Sequence, residues 1–231
     1  MRNFNKLGIT LMTFALSATL IACNNDTKSS EDKGNNVESA TTDFKNIVNK
    51  YPKKIGFHKE LNHWGIELDK GEKFEWTKDM SSNAADFAIV TKAEPFISAG
   101  LDVNKLGNGW LFKKAEEDTP DLLIRPYDVS DRNKFSSGSS DAMRVILKFK
   151  PEVLTKDDTH NIVTLGEGFE VRWAEEIGKT NADFMFRLNS TELVEAGLDL
   201  DKLEGTDWKV ISEQVNGETI KVLDRMYMLE K

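Results

Sequence analysis

The sequence is poor in the residues that stabilise small proteins covalently or through metal ions. It has one cysteine, Cys23, and three histidines among 231 residues. A single cysteine cannot form a disulfide within the chain, and no His-Glu-x-x-His zinc motif occurs. Beyond the first 22 residues there is no apolar run of the roughly 20 residues that a membrane span needs. The stability of the folded part therefore has to come from packing.

Positive charge is also scarce relative to negative charge. The formal net charge is −8, and the first 22 residues contain Arg2 and Lys6 but no acid, so the remainder carries −10. Phosphate backbones require a cationic face, so this balance excludes nucleic acid as a partner. It equally argues against a polybasic attraction to anionic lipid.

The N-terminus has the pattern of a secretory signal. Arg2 and Lys6 precede an apolar stretch over 7–22, and Leu20, Ile21 and Ala22 lead directly into Cys23. This Leu-Ile-Ala-Cys ending resembles the lipobox of bacterial lipoprotein precursors. The resemblance implies that residues 1–22 are a signal peptide cut just before Cys23, whose sulfur takes a diacylglyceryl group.

Lipidation of Cys23 would make the lipid bilayer a partner of the chain and leave no thiol for a metal site or a nucleophile. Two acyl chains anchor stably where one binds marginally. The expected location is the extracytoplasmic side of a cell membrane or an outer membrane. The alternative is an uncleaved helical anchor in which Cys23 is an ordinary residue. Residues 23–40 are polar and lack aromatics, so we expect a flexible tether.

An internal duplication is the second clear feature of the chain. Matching residues recur at a constant spacing of 97, including Ala-Asp-Phe at 85–87 and 182–184 and Ala-Gly-Leu-Asp at 99–102 and 196–199. The same spacing relates His63 to His160 and Trp76 to Trp173, and Trp110 meets Trp208 after one inserted residue. A collinear series of this kind indicates two copies of one unit. We predict the first unit, with an N-terminal helix, over 41–135 and the second over 136–231.

Both copies favour strands over helices. Segments such as 64–68, 73–76 and 169–173 alternate apolar and polar residues, as half-buried strands do. Residues 94–99 read as a short helix ended by Gly100, and Asn216-Gly217 predicts a hairpin turn. The pattern 37–51 predicts an amphipathic helix, and 132–140 reads as a linker. The expected fold class is α+β and β-rich, with two tandem antiparallel-sheet units, each with a short helix.

Few residues qualify as a binding or catalytic site. Trp76 and Trp173 could stack on a planar ligand, although each also suits the core of a strand. His58 and His63 with Glu60 could supply metal ligands, whereas His63 and His160 could bind a ligand or be polar residues at a strand edge. We therefore take Trp76, Trp173, His63 and His160 as candidate ligand-binding residues, with no cofactor and no metal.

The paired acids favour architecture over catalysis. Asp86 and Asp183 begin strands, and Asp102 and Asp199 follow glycine, so the latter two are predicted to cap the next turn. A glycosidase pair would need two carboxyls in different environments, whereas these acids repeat symmetrically. The sequence thus predicts a non-enzymatic binding module for a small solute or an envelope partner. The alternatives are a hydrolase of an envelope polymer and a structural spacer or assembly factor.

Overall fold

Two six-stranded antiparallel sheets account for most of the folded chain. The computed structural model describes residues 43–44, 46–59, 63–77, 85–107, 109–116, 119–127 and 154–229. The first sheet contains β1 (Ile55–His58), β2 (His63–Asp69), β3 (Glu72–Thr77), β4 (Phe87–Lys92), β5 (Leu111–Lys113) and β6 (Leu122–Tyr127). The second contains β7 (Leu154–Lys156), β8 (His160–Gly166), β9 (Phe169–Ala174), β10 (Phe184–Asn189), β11 (Trp208–Val215) and β12 (Glu218–Tyr227).

The two sheets have the same topology. The strand order is β1-β2-β3-β4-β6-β5 in the first sheet and β7-β8-β9-β10-β12-β11 in the second. A short helix follows the fourth strand of each sheet, α1 (Glu94–Ser98) and α2 (Thr191–Glu195). The predicted β-rich fold with two tandem antiparallel units is confirmed. The unit boundaries at 135 and 136 lie outside the described residues and stay a prediction.

Local sequence explains the central strands and their turns. In β3 and β9 the residues Phe74, Trp76, Val171 and Trp173 alternate with more polar ones and are buried on one face of their sheet. The predicted Asn216-Gly217 hairpin turn joins β11 to β12, and both residues have positive φ, at 52° and 87°. This conformation suits a two-residue hairpin loop of the type that Asn-Gly favours.

The edge strands β1 and β7 were not predicted. Ile55–His58 and Leu154–Lys156 have only four and three residues, and Gly56 interrupts the first. Segments this short do not establish a period of two, so their sequence gives no strand signal. They form because the neighbouring strands β2 and β8 offer an open row of backbone groups.

The inner faces of the two sheets pack against each other. The Phe74 and Phe184 ring centroids are 6.2 Å apart, and those of Tyr127 and Phe169 are 5.3 Å apart. Each pair joins one residue from each sheet. We call this boundary between the two halves the seam.

Backbone hydrogen bonds cross the seam symmetrically at the two helix ends. The Asp102 N–H donates to the Ala196 carbonyl, and the Asp199 N–H donates to the Ala99 carbonyl, both at 2.9 Å. Gly100 and Gly197 have φ of 101° and 103°, a region that glycine enters without steric cost. A Cβ built on either glycine would lie 3.1 Å from the carbonyl oxygen of the other. The glycines therefore serve both the helix ends and the close approach of the two halves.

The Gly-Leu-Asp turns have the predicted architecture. Leu101 and Leu198 are buried, and the Asp102 and Asp199 carboxylates accept from the backbone N–H groups of Asn104 and Asp201, at 3.1 and 3.2 Å. These hydrogen bonds cap the short 3₁₀ turns that follow.

We expect Asp102→Ala or Asp199→Ala to lower the free energy of unfolding by about 0.5–2 kcal/mol, because each removes one cap. Urea denaturation would measure the loss, with Asp158→Ala at an exposed position as the control. Unchanged stability combined with lost ligand binding would show that these acids are functional rather than architectural.

The N-terminal segment contributes one large side chain to the core. Residues 43–44 and 46–50 have helical backbone, and Phe44 and Ile47 are fully buried. The predicted helix over 37–51 extends beyond the described residues and stays a prediction, as do the signal peptide, Cys23, the tether and the linker over 132–140. No helix in the described part of the chain is long and apolar enough to cross a membrane.

Candidate binding site

The two tryptophans that were predicted as candidate ligand-binding residues lie in the core. Trp76 and Trp173 are 2% and 1% exposed, and each makes an edge-on contact with the Phe44 ring, at 5.6 and 5.5 Å between centroids. A stacking platform needs an exposed ring face, and neither tryptophan has a face open to a ligand. Their burial supports the core interpretation of these two residues.

His63 and His160, the two histidines predicted as candidate ligand-binding residues, each contact a backbone carbonyl. His63 Nε2 lies 2.8 Å from the Ala85 carbonyl oxygen, and His160 Nε2 lies 2.9 Å from that of Ala182. Each imidazole thus joins the start of its strand to the residue that leads into β4 or β10. Within the described ranges, no group of three or more His, Cys, Asp or Glu residues is arranged to hold a metal ion.

Asp183 is likewise structural. Its carboxylate is fully buried and accepts from the backbone N–H groups of Gly178 and Leu229, at 2.6 and 2.9 Å. These bonds fix the chain end beside β10, and they leave no carboxylate oxygen facing solvent. Asp86, at the equivalent position of the first half, is buried in the same way.

The structure instead shows a cleft at the seam, which we call the seam cleft. It has a volume of about 400 Å³. The first half contributes Lys53, Lys54 and the end of β2 with the following turn, 67–70. The second half contributes Asp207 and the end of β12 with the two residues after it, 225–229. Because both halves supply a wall, the cleft exists only in the assembled pair.

Arg225 is the central charged group of this region. Its Nη2 lies 3.1 Å from Glu72 Oε2, 3.0 Å from Asp207 Oδ2 and 3.5 Å from Asp69 Oδ2. Glu72 and Asp69 come from the first half, so one guanidinium joins carboxylates of both halves. The guanidinium carbon of Arg225, Cζ, also lies 4.8 Å from the centre of the Tyr227 ring, a cation–π geometry.

The pKa shifts in this cluster follow from burial and from the guanidinium. Burial raises the pKa of the Glu72 carboxyl, and the opposing attraction of Arg225 does not fully offset it. For Asp69, burial is outweighed by hydrogen bonds from Lys92 and the Lys70 backbone, so its pKa is lowered. Burial tends to lower the pKa of Arg225, but the negative charges around it, Glu72 foremost, raise it overall.

Comparison of the chain with protein-family models, with curated proteins and with solved structures finds no match. The site therefore has to be interpreted from its own chemistry.

A second cleft, of about 340 Å³, also includes Arg225 in its lining. Glu72, Lys92, Lys202, Asp207 and Arg225 supply its charged lining, together with Glu94. Arg225 and Asp207 therefore line both clefts.

The equivalent position of the other half differs in chemistry. Arg125 also lies two residues before a tyrosine, and its guanidinium carbon Cζ is 5.2 Å from the Tyr127 ring centre. Across the seam it meets the Phe169 ring at 5.1 Å, where Arg225 meets Glu72. Phe169 stands 97 residues after Glu72 and at the same point of its strand. The two ends of the seam thus share a fold, but Arg125 pairs with one carboxylate, that of Glu192 at 3.7 Å, whereas Arg225 lies among three.

Sequence reasoning missed Arg225 and its partners. A usable signal is present, because Arg-x-Tyr at 125–127 recurs at 225–227. The spacing there is 100 rather than 97, because the loops before the last strand differ in length. A comparison of the copies that allowed this shift would have marked both arginines.

Proposed function

We propose that the protein is a membrane-anchored extracytoplasmic lipoprotein that acts as a non-catalytic binding module for a small polar solute. The seam cleft is the observation that supports this proposal best. Its volume of about 400 Å³ falls within the range of roughly 300–1,000 Å³ in which small-molecule sites are found.

The chemistry of the lining favours a charged or strongly polar ligand. Lys53, Lys54 and Lys70 face the same space as Glu67 and Asp69. Ligand sites for apolar molecules are lined mainly by hydrophobic side chains, whereas this cleft has a mixed lining whose hydrophobic members are Leu68 and residues 226–229. Groups of both signs suit a solute that has both hydrogen-bond donors and acceptors.

Binding should appear as stabilisation of the folded chain by a solute. A ligand at one hundred times its Kd raises the free energy of unfolding by about 2.7 kcal/mol. We would record thermal unfolding of the full chain with panels of amino acids, sugars, sugar phosphates and nucleotides.

A charge-reversal variant would place the ligand. Lys70→Glu should abolish the shift caused by a seam ligand, because Lys70 lines this cleft. Lys179→Glu makes the same change in charge at an exposed position that lines no described cleft, and it should leave the shift intact. If no solute in any panel stabilises the chain, the spacer or assembly role is favoured instead.

The membrane anchor is tested separately. Cys23→Ser should give a protein that cannot be acylated and is released or left uncleaved, since the acyl chains are added to the cysteine sulfur. Intact-mass measurement of the membrane-extracted wild type should show a diacylglyceryl adduct on a chain that begins at Cys23. A mature N-terminus elsewhere without lipid would contradict the anchor.

One observation favours a hydrolase as the second candidate. Glu72 and Asp69 have pKa values displaced in opposite directions, which is the pattern of a catalytic acid and its partner. However, Glu72 is 2% exposed and is bound to Arg225, so a polymer cannot reach it in this arrangement. Loss of product release from isolated envelope polymer in Glu72→Gln, with the fold retained, would favour the hydrolase over the binding module.

A further inference from the structure

A row of small residues crosses the outer face of the first sheet. Gly56 of β1 pairs with Gly65 of β2, which pairs with Glu75 of β3. Directly paired residues place their side chains on the same face of a sheet. The two glycines therefore leave a strip of bare backbone beside the Glu75 side chain, on the face opposite the core residues Ile66 and Phe74.

Each glycine in this row has a different role. A Cβ at Gly65 would lie 3.1 Å from Cγ of Glu75, so glycine there makes room for the glutamate. A Cβ at Gly56 would meet nothing within 4 Å, so glycine there leaves open space. The result is a small groove of about 180 Å³.

Glu75 is buried at this groove with an unsatisfied oxygen. Its exposed fraction is 4%, and its Oε2 has no hydrogen-bond partner within the described part of the chain. His63 Nδ1 lies 3.5 Å from this oxygen, within ion-pair distance but without a hydrogen bond to it. His63 Nε2 contacts the Ala85 carbonyl and so carries a hydrogen, whereas Nδ1 is itself buried without a hydrogen-bond partner among the described residues. A buried carboxylate oxygen without a donor is costly, and a donor from a ligand would satisfy it.

Apart from Glu75, the groove has more positive than negative side chains. Lys53, Lys54 and Lys73 line it, together with His58 and Glu67. A ligand that donates to Glu75 therefore lies in a groove whose lining includes three lysines. This combination selects a molecule with a positive donor at one end and an anionic group at the other.

The second half of the chain provides an internal comparison. At the spacing of 97, Ile162 replaces Gly65 and Arg172 replaces Glu75, and Thr155 pairs with Ile162 as Gly56 pairs with Gly65. Arg172 is paired with Glu170, at 2.9 Å from its Nε, and with Asp157 at 3.4 Å. In the second sheet, side chains thus occupy the positions of the two glycines, and the charge of Arg172 is neutralised by its carboxylate partners. Because this sheet has the same topology, the fold does not require the glycines or the buried acid.

We propose that the groove formed by Gly56, Gly65 and Glu75 binds a small zwitterion with one ammonium and one carboxylate group, the chemistry of a free α-amino acid. The ammonium group donates to Glu75, and the carboxylate is held by Lys53, Lys54 and Lys73. This site is distinct from the seam cleft, although Lys53, Lys54 and Glu67 line both.

The test is calorimetric titration of the detergent-solubilised full chain with L-alanine, L-glutamate and L-lysine. At least one should bind saturably, and propionate and ethylammonium, which each lack one charge, should bind at least tenfold more weakly. Binding should fall at least tenfold in Glu75→Gln, which removes the charge. It should fall equally in Gly56→Thr, which introduces the residue of the second half into open space and should not lower the melting temperature.

The controls separate this site from the seam cleft. Lys70 lines the seam cleft but lies outside the groove. Lys70→Glu should therefore leave amino-acid binding in the groove unchanged while abolishing binding of a ligand in the seam cleft. The proposal is overturned if none of the three amino acids saturates, if propionate alone binds as well, or if Glu75→Gln binds like the wild type. It is also overturned if NMR of the His63 ring shows a protonated Nδ1 bonded to Glu75, since the carboxylate would then be satisfied internally.

Discussion

Replacing Arg225 with methionine should lower the free energy of unfolding by about 3–5 kcal/mol, the usual result of removing one partner of a buried ion pair. Methionine keeps most of the side-chain length but leaves Glu72 buried without its counter-charge. Urea denaturation of the full chain would measure the loss. Asp207 and Asp69 contribute less, because both carboxylates are largely in contact with water and can be hydrated when the guanidinium is gone.

Two further variants isolate the buried charge as the cause. Adding Glu72→Gln to Arg225→Met should restore part of the lost stability, since no uncompensated carboxylate remains. Arg125→Met, at the equivalent position, should cost only about 1.5–3 kcal/mol. That guanidinium faces the Phe169 ring and donates to the Gly109 carbonyl, and its ion pair with Glu192, at 3.7 Å, involves a side chain that is 42% exposed and can be hydrated. Equal losses for the two arginines would show that the carboxylate cluster has no special weight.

The loss should also depend on pH. The pKa of Glu72 is raised in the folded chain, so folding favours its protonated form. The stability that this group contributes is present at acid pH and is lost as pH rises through the raised pKa. Removing Arg225 strengthens that effect, so the gap between Arg225→Met and the wild type should narrow in acid and widen towards neutral pH.

The duplication and the central strands could be predicted because they depend on local and periodic signals. Trp76 and Trp173, Gly100 and Gly197 recur at a fixed spacing, and the alternation around them reports a half-buried strand. The Asn216-Gly217 turn is equally local, since it needs only two residues with positive φ.

The candidate sites could not be predicted because they depend on partners that are distant in sequence. Arg225 reaches Glu72 across 153 positions, and no periodicity links the two. Gly56 and Gly65 look like weak points in strands until register places them beside Glu75. Conversely, Trp76 and His63 were chosen as candidates because they are rare residue types. In the structure Trp76 packs in the core, and His63 contacts a backbone carbonyl.

Phe44 is the residue through which the N-terminal segment holds both halves. It is fully buried, and its ring centroid lies 5.6 Å from that of Trp76 in the first sheet. It lies 5.5 and 6.1 Å from those of Trp173 and Phe184 in the second. All three contacts are edge-on, the arrangement that aromatic rings prefer. One side chain therefore packs against the cores of both copies, at the end of the chain that leads to the proposed lipid anchor.

We expect Phe44→Ala to lower the free energy of unfolding by about 3–5 kcal/mol, since it removes a large buried ring and leaves a cavity between the two sheets. Val48→Ala, on the half-buried part of the same helical segment, is the matched control and should cost less. Hydrogen exchange should accelerate in β3 and in β9 together, because Phe44 contacts a tryptophan of each strand. A loss below about 1 kcal/mol, or faster exchange in one sheet alone, would show that the segment does not bridge the halves in solution. The N-terminal segment would then be part of the tether, and the two sheets would be held together by the seam contacts without it.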